Sequence, residues 1–255
     1  CTVVAKPSEV SPLSSLVMAE AIRAAGTPAG VFNLVNGIGP VAGARLAEHP
    51  DVDMISITGS TRAGRQVAIA AAHSVKRVHQ ELGGKSPNLI LPDADFAAVV
   101  PAGVARCFVG GGQSCQAPTR MLVPRALHAE ALQLAADRAN AFRVGDPTEP
   151  ATEMGPVVNR SQFDKIQELI AAGIAEGATL AAGGLGRPAG LQKGYFVRPT
   201  IFGDVAPDSR IAREEIFGPV LSIIPYDDVE QAISIANATD YGLAAWVWSA
   251  DKDKA

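Results

Sequence analysis

At 255 residues the chain is long enough for one large domain or two moderate ones, and its 47% hydrophobic content can fill a proper core. A net charge of −4 without any basic stripe argues against nucleic acid, and no apolar run is long enough to span a bilayer. Three cysteines at irregular spacing, Cys1, Cys107 and Cys115, argue against a disulfide framework and a zinc site, so no metal is expected and the reducing cytoplasm fits best.

Residues 1–5 form a β-branched apolar run ended by Lys6-Pro7, which predicts a buried strand. Ser11 supplies an N-cap with Pro12 at the first helical position, and Leu13, Leu16, Val17 and Ile22 then fall on one face until Gly26 closes the helix. The next strand is 31–35, and strand, helix, strand with right-handed crossovers implies a parallel sheet. Gly37-Ile38-Gly39 to Gly43 leads into a helix ending about Glu48. The spacing is G-x-G-x-x-x-G, which reads equally as a dinucleotide-type turn or as a plain strand-to-helix turn. A third strand, 54–57, runs into Thr58-Gly59-Ser60-Thr61 and a helix over 62–73. Its free N-terminal amides either receive a pyrophosphate or are simply well capped.

Residues 76–82 return as a strand, and Gly83-Gly84 marks a domain boundary, giving 1–84 and 85–255. The second part reads as strand 87–91, an apolar helix 95–109 ending in Gly110-Gly111-Gly112, strand 119–123 and helix 127–142. A loop punctuated by Gly and Pro precedes an amphipathic helix over 162–176 through Phe163, Ile166, Leu169, Ile170 and Ile174. Strand 178–182, an exposed hairpin-like loop over 183–194, strand 195–202, strand 220–225, helix 229–236 and strand 244–248 complete an α/β pattern.

Three glycines leading into Cys115 allow backbone amides and a substrate to approach a thiol closely, which is what a cysteine nucleophile needs; the alternative is a small buried apolar side chain. Cys107 sits inside an apolar helix and is most simply a core residue, and Cys1 belongs to a strand. Glu81 stands between an apolar strand and the Gly83-Gly84 turn, an unusual place for a solvated glutamate and a suitable one for a general base.

Three stretches carry a resemblance, in this order: Gln80-Glu81-Leu82-Gly83-Gly84-Lys85-Ser86-Pro87, Gly110-Gly111-Gly112-Gln113-Ser114-Cys115-Gln116 and Arg213-Glu214-Glu215-Ile216-Phe217-Gly218-Pro219-Val220. With Ala5-Lys6-Pro7-Ser8-Glu9, Thr58-Gly59-Ser60-Thr61 and Asn237-Ala238-Thr239-Asp240-Tyr241-Gly242-Leu243, the chain resembles the aldehyde dehydrogenase superfamily along essentially its whole length. The resemblance implies part of a Rossmann-like dinucleotide-binding domain followed by most of an α/β catalytic domain. It implies oxidation of an aldehyde to a carboxylic acid with NAD, through a thioester on Cys115 hydrolysed by water that Glu81 activates. It assigns Lys6 and Glu9 to the adenosine ribose, Gly59 and Ser60 to the pyrophosphate, Glu215 to the nicotinamide ribose and Phe217 to the side of the ring, and counts Leu82 among the cofactor residues. A carboxylate at Glu9 favours a free 2′-hydroxyl over a 2′-phosphate, so NAD is expected in preference to NADP. The expected partners are a small aldehyde and further copies of the chain in a homodimer or homotetramer.

Two other readings use the same residues. A cysteine hydrolase or acyltransferase would employ Cys115 without nucleotide, but it needs a histidine, and His49, His73, His79 and His128 show no pairing motif. A fragment that keeps the fold without turnover is the other. The chain opens without Met inside an apolar strand and stops at Asp251-Lys252-Asp253-Lys254-Ala255, where a helix would begin. By resemblance it lacks the oxyanion-hole asparagine and the assembly strand, so the isolated 255-residue chain is expected to be inactive.

Overall fold

A computed structural model describes residues 1–254. The chain divides into two compact units, Cys1–Leu82 and Gly83–Ala255. The division falls just ahead of the Gly83-Gly84 pair, which belongs to the second unit.

The first unit alternates β1 (Val3–Ala5), α1 (Leu13–Ala24), β2 (Phe32–Leu34), α2 (Ala44–Glu48), β3 (Met54–Thr58), α3 (Thr61–Ala72) and β4 (Arg77–Glu81). Its strands are parallel, but they form two separate pairs: β1 with β2, where Val3 lies opposite Phe32, and β3 with β4, where Thr58 lies opposite Glu81. Ser11 is not the cap of α1. The helix begins at Leu13 after Pro12, with no side-chain capping bond, and Ser11 instead donates its backbone N–H to Ser8 O. The apolar face of α1 stays open, with Leu13 73% and Val17 66% exposed. Between β2 and α2 the glycine-rich turn takes one π-type turn over Gly39–Gly43.

The second unit holds β5 (Pro87–Ile90), α4 (Phe96–Phe108), β6 (Arg120–Pro124), α5 (His128–Asn140), α6 (Arg160–Ala175), β7 (Thr179–Ala182), β8 (Thr200–Gly203), α7 (Arg210–Arg213), β9 (Val220–Tyr226), α8 (Val229–Asn237) and β10 (Trp246–Trp248). They build one six-stranded sheet in the order β10-β5-β6-β9-β8-β7, parallel except for β7, which runs antiparallel to β8. Helices cover both faces, which is why β6 and β9 read as continuous apolar runs. Leu122 and Ile224 pack with α6 and α8 on one side, while Met121, Val123, Leu221 and Ile223 pack with α4 and α5 on the other. Three helices are capped by the residue types their sequences offer: Asp95 on α4, Asn159 on α6 and Asp228 on α8 each accept a first-turn N–H. The strand expected over 195–202 is confined to Thr200–Gly203. Pro199 has no N–H to give a ladder, and Tyr195 accepts from Val157 N in the loop instead. The single-turn helix α7 has no periodic signal and is found only in the structure.

Candidate active site

The second unit carries Cys115, the candidate nucleophile. After α4 ends, Gly110, Gly111 and Gly112 take φ of 61°, 71° and 69°, a run of left-handed residues that side chains would resist. This turns the chain sharply and presents Gln113, Ser114 and Cys115. Gln113 locks the turn at both ends, donating from Nε2 to Gly110 O at 3.0 Å and accepting from Val158 N at 2.8 Å. Ala117 N closes a turn on Ser114 O, and no helix starts at Cys115. Cys115 is half-buried, whereas Cys107 is fully buried in α4 and burial pushes its thiol up to about 12. Of these two, only Cys115 can meet a substrate.

Two glycines bring three segments of this unit together. A Cβ on Gly84 would lie 2.1 Å from Cys115 O, and one on Gly112 would lie 2.2 Å from Gly218 O. Both positions therefore require glycine. Glu215 reaches the same corner, its Oε1 accepting from Gly84 N at 3.0 Å while its other oxygen crowds Gly83. Phe217, two residues on, holds φ of 56° and is half-buried.

Lys85, next to Gly84, was not among the candidates the sequence offers. It is 1% exposed, and its Nζ has no hydrogen-bond partner among the described residues. Burial brings its pKa down to about 7, with the Cys107 thiol the main group opposing that shift. Arg120 is buried too, but its guanidinium is satisfied by the carbonyls of Lys85, Ile235 and Ala236, closing the end of α8. The one histidine of this unit, His128, is committed elsewhere, accepting from Asp204 N at 3.1 Å.

The first unit carries the remaining candidates. Glu81 is the last residue of β4, its carboxylate exposed and 3.8 Å from His79 Nε2. Its carbonyl takes the N–H of Gly59 at 2.9 Å. Leu82 packs on α3 at Gly64, where a Cβ would be 2.5 Å from the leucine. Ser60 caps α3 by accepting from Ala63 N at 3.2 Å. Lys6 and Glu9 meet at 3.4 Å; Lys6 also donates to Gly37 O and Glu9 accepts from Gly39 N. The Glu9 carboxyl is held below the usual carboxylate range by its own backbone N–H first, then by that of Gly39. Among the described residues no group of three or more His, Cys, Asp or Glu is placed to hold a metal ion, and no helix is long and apolar enough to cross a membrane.

The chain matches the sequence profile of the aldehyde dehydrogenase family over residues 1–255. It is 52% identical over 255 residues to a 3-succinoylsemialdehyde-pyridine dehydrogenase of a Pseudomonas species, covering 100% of this chain and 54% of that protein. Among solved structures it is similar to aldehyde dehydrogenase C of Pseudomonas syringae in complex with NAD+ and octanal, with a TM-score of 0.99 and 58% identity over 100% of this chain and 53% of that one. An aldehyde dehydrogenase of Mycobacterium tuberculosis complexed with NAD+ gives a TM-score of 0.97 at 44% identity, over 100% of this chain and 52% of that one. The chain thus spans about half the length of the relatives it matches. Its two glycine-set loops, its half-buried cysteine and a profile match along its whole length agree that the chain belongs to the aldehyde dehydrogenase family.

Proposed function

We propose that the protein carrying this chain oxidises an aldehyde to a carboxylic acid with NAD, using Cys115 as nucleophile and Glu81 as general base. The observation that carries this reading is the half-buried thiol of Cys115, delivered by a three-glycine turn and packed through Gly84 against the stretch that begins directly after Glu81 and Leu82. The Cys115 thiolate adds to the aldehyde carbon, and the oxyanion that forms makes that carbon a hydride donor. Bound NAD supplies the hydride acceptor. Loss of hydride leaves a thioester on Cys115. Glu81 then takes a proton from water, the hydroxide adds to the thioester carbonyl and the C–S bond breaks, releasing the acid and the Cys115 thiolate, and Glu81 gives its proton back to solvent.

For NAD, Lys6 and Glu9 are assigned to the adenosine ribose, Gly59 and Ser60 to the pyrophosphate, Leu82 to the wall of the site, Glu215 to the nicotinamide ribose and Phe217 to the ring. The parts 1–84 and 85–255 are read as the cofactor-binding and catalytic domains. A homodimer or homotetramer in the cytoplasm, with NAD preferred over NADP, completes the proposal. The test is to express the full open reading frame and follow NADH formation with octanal, the aldehyde bound by the Pseudomonas syringae relative, and with shorter aldehydes. NAD-linked turnover abolished by Cys115→Ala is the expected result; turnover that persists without Cys115, or release of acid without nucleotide, would overturn the reading.

A further inference from the structure

On one face of the β3–β4 pair a serine, a histidine and a glutamate stand in line. Ser56 lies opposite His79 and Thr58 opposite Glu81 in a parallel ladder, so positions 54, 56 and 58 share a face with 77, 79 and 81. Ser56 Oγ is 3.2 Å from His79 Nδ1, and His79 Nε2 is 3.8 Å from Glu81 Oε1. Both side chains of the second pair are about half exposed, at 55% and 48%. Besides His79, the charged or titratable groups on this face of the pair are Arg77 and Glu81. The opposite face meets α3, where Gln80 donates to Gly64 O. The two distances differ in kind, since 3.2 Å is a hydrogen bond and 3.8 Å lies beyond one. A ring carrying its proton on Nε2 would donate to the Glu81 carboxylate and draw it in. A ring carrying its proton on Nδ1 donates to Ser56 Oγ and turns the Nε2 lone pair towards Glu81, and two acceptors then stand apart. The observed spacing fits the second tautomer, in which Nε2 is a free base.

We propose that His79, oriented by Ser56, takes from Glu81 the proton that Glu81 removes from water during thioester hydrolysis, and passes it to solvent. The inference rests on the general-base role of Glu81 in the proposed function. As the Glu81 Oε1–H bond breaks, the His79 Nε2–H bond forms, leaving a carboxylate and an imidazolium. Water then takes the proton from Nε2, and the ring returns to its starting tautomer. A protonated Glu81 is a donor, so the gap to Nε2 closes at the step that needs it, as catalytic hydrogen bonds tighten in the working complex. Ser56 is a positioning residue, acting only through the ring. Hydride transfer precedes this step and does not depend on it.

The experiment uses the full open reading frame with His79→Gln, His79→Ala, Ser56→Ala and Glu81→Gln. Each protein is mixed rapidly with NAD and a simple aliphatic aldehyde, so that the burst of NADH and the steady rate are read separately. His79→Gln keeps a polar side chain of similar size that cannot take a proton, which guards against an alanine that disturbs the strand. Both His79 variants should keep the burst and lose roughly tenfold in the steady rate. Ser56→Ala should lose roughly fivefold in the steady rate alone, the worth of one hydrogen bond. In the wild type the steady rate should fall on the acid side as an imidazole becomes protonated and can no longer accept, and both His79 variants should lack that limb. Added imidazole should restore the steady rate of His79→Ala, a rescue that a merely structural role would not give. An unchanged steady rate in His79→Gln, equal slowing of burst and steady state, or no response of His79→Ala to imidazole would overturn the relay. Glu81→Gln keeps the two readings apart: thioester hydrolysis at the wild-type rate in that variant would overturn the proposed function, whereas slow hydrolysis there beside an unchanged His79→Gln would overturn the relay alone.

Discussion

Two cysteines eight positions apart differ in what surrounds the sulfur, and that difference sets their chemistry. Cys107 is fully buried, with its thiol pushed up to about 12, and is protonated at any ordinary pH; Cys115 is half-buried on a turn. Cys115→Ser should therefore cut aldehyde oxidation by at least roughly a thousandfold while NAD affinity measured by titration barely changes. Cys107→Ser should keep turnover. Glu9 is a second residue with a sharp consequence. If its carboxylate faces the ribose, Glu9→Gln should raise the ratio of kcat/KM for NADP to that for NAD by roughly tenfold, and an unchanged ratio would remove Glu9 from that position. Lys85 gives a prediction in pH. Its pKa falls from 10.5 unfolded to about 7 folded, so between those values the unfolded chain holds a proton that the folded chain has lost. Stability then rises with pH across that window, by up to about 1.4 kcal/mol per pH unit. Lys85→Met removes this slope. Denaturation of both proteins from pH 7 to 10 should show the advantage of the methionine variant shrinking as pH rises, and parallel curves would mean that Lys85 keeps its ordinary pKa.

At the scale of elements, the site depends on loops that touch through glycine backbones. Gly84→Ala would drive a methyl into Cys115 O from an ideal distance of 2.1 Å, so the cysteine turn must shift. A displacement of about an ångström at a reacting group costs roughly a hundredfold in rate, and that is the expected loss in kcat for Gly84→Ala, with the β5–β6 sheet and most of the thermal stability retained. Wild-type kcat in this variant would contradict the packing. These contacts also mark where the sequence stops being legible. The strands β6 and β9 and the helices α4, α6 and α8 announce themselves by apolar runs, period and capping residues, because those signals are local. The Gln162 amide donates to Ile216 O and Phe217 O, 54 and 55 positions away, and nothing in the local pattern of α6 distinguishes that glutamine from a solvated one. The extended stretch 195–199 looked like a strand because Tyr195, Phe196 and Val197 are strand formers, but its hydrogen bonds go to neighbouring loops. Lys85 was hidden for the opposite reason: a lysine after two glycines reads as a surface residue, and only tertiary packing buries it.

At the scale of the whole molecule, the chain folds into an α/β unit of two parallel strand pairs and an α/β unit of six strands, and its motifs fall in both. The motif order made the family legible, since Lys6-Pro7-Ser8-Glu9, Glu81-Leu82-Gly83-Gly84 and Glu215-Ile216-Phe217-Gly218 are separate short motifs that fall in the family's order along the chain. What was not legible is how Glu215 is held: Gly84 N and Lys165 Nζ reach it from 131 and 50 positions away. The central claim, that Cys115 carries the acyl group and Glu81 its release, is tested most directly by trapping the intermediate. Glu81→Gln changes basicity with almost no change in size, so thioester hydrolysis should slow by roughly a hundredfold while hydride transfer continues. The full-length variant is mixed with NAD and a simple aliphatic aldehyde, quenched in acid and digested for mass spectrometry. The account predicts a burst of NADH and the mass of one acyl group on the peptide containing Cys115. A burst without that adduct, an adduct on Cys107, or equal slowing of burst and steady state would contradict it.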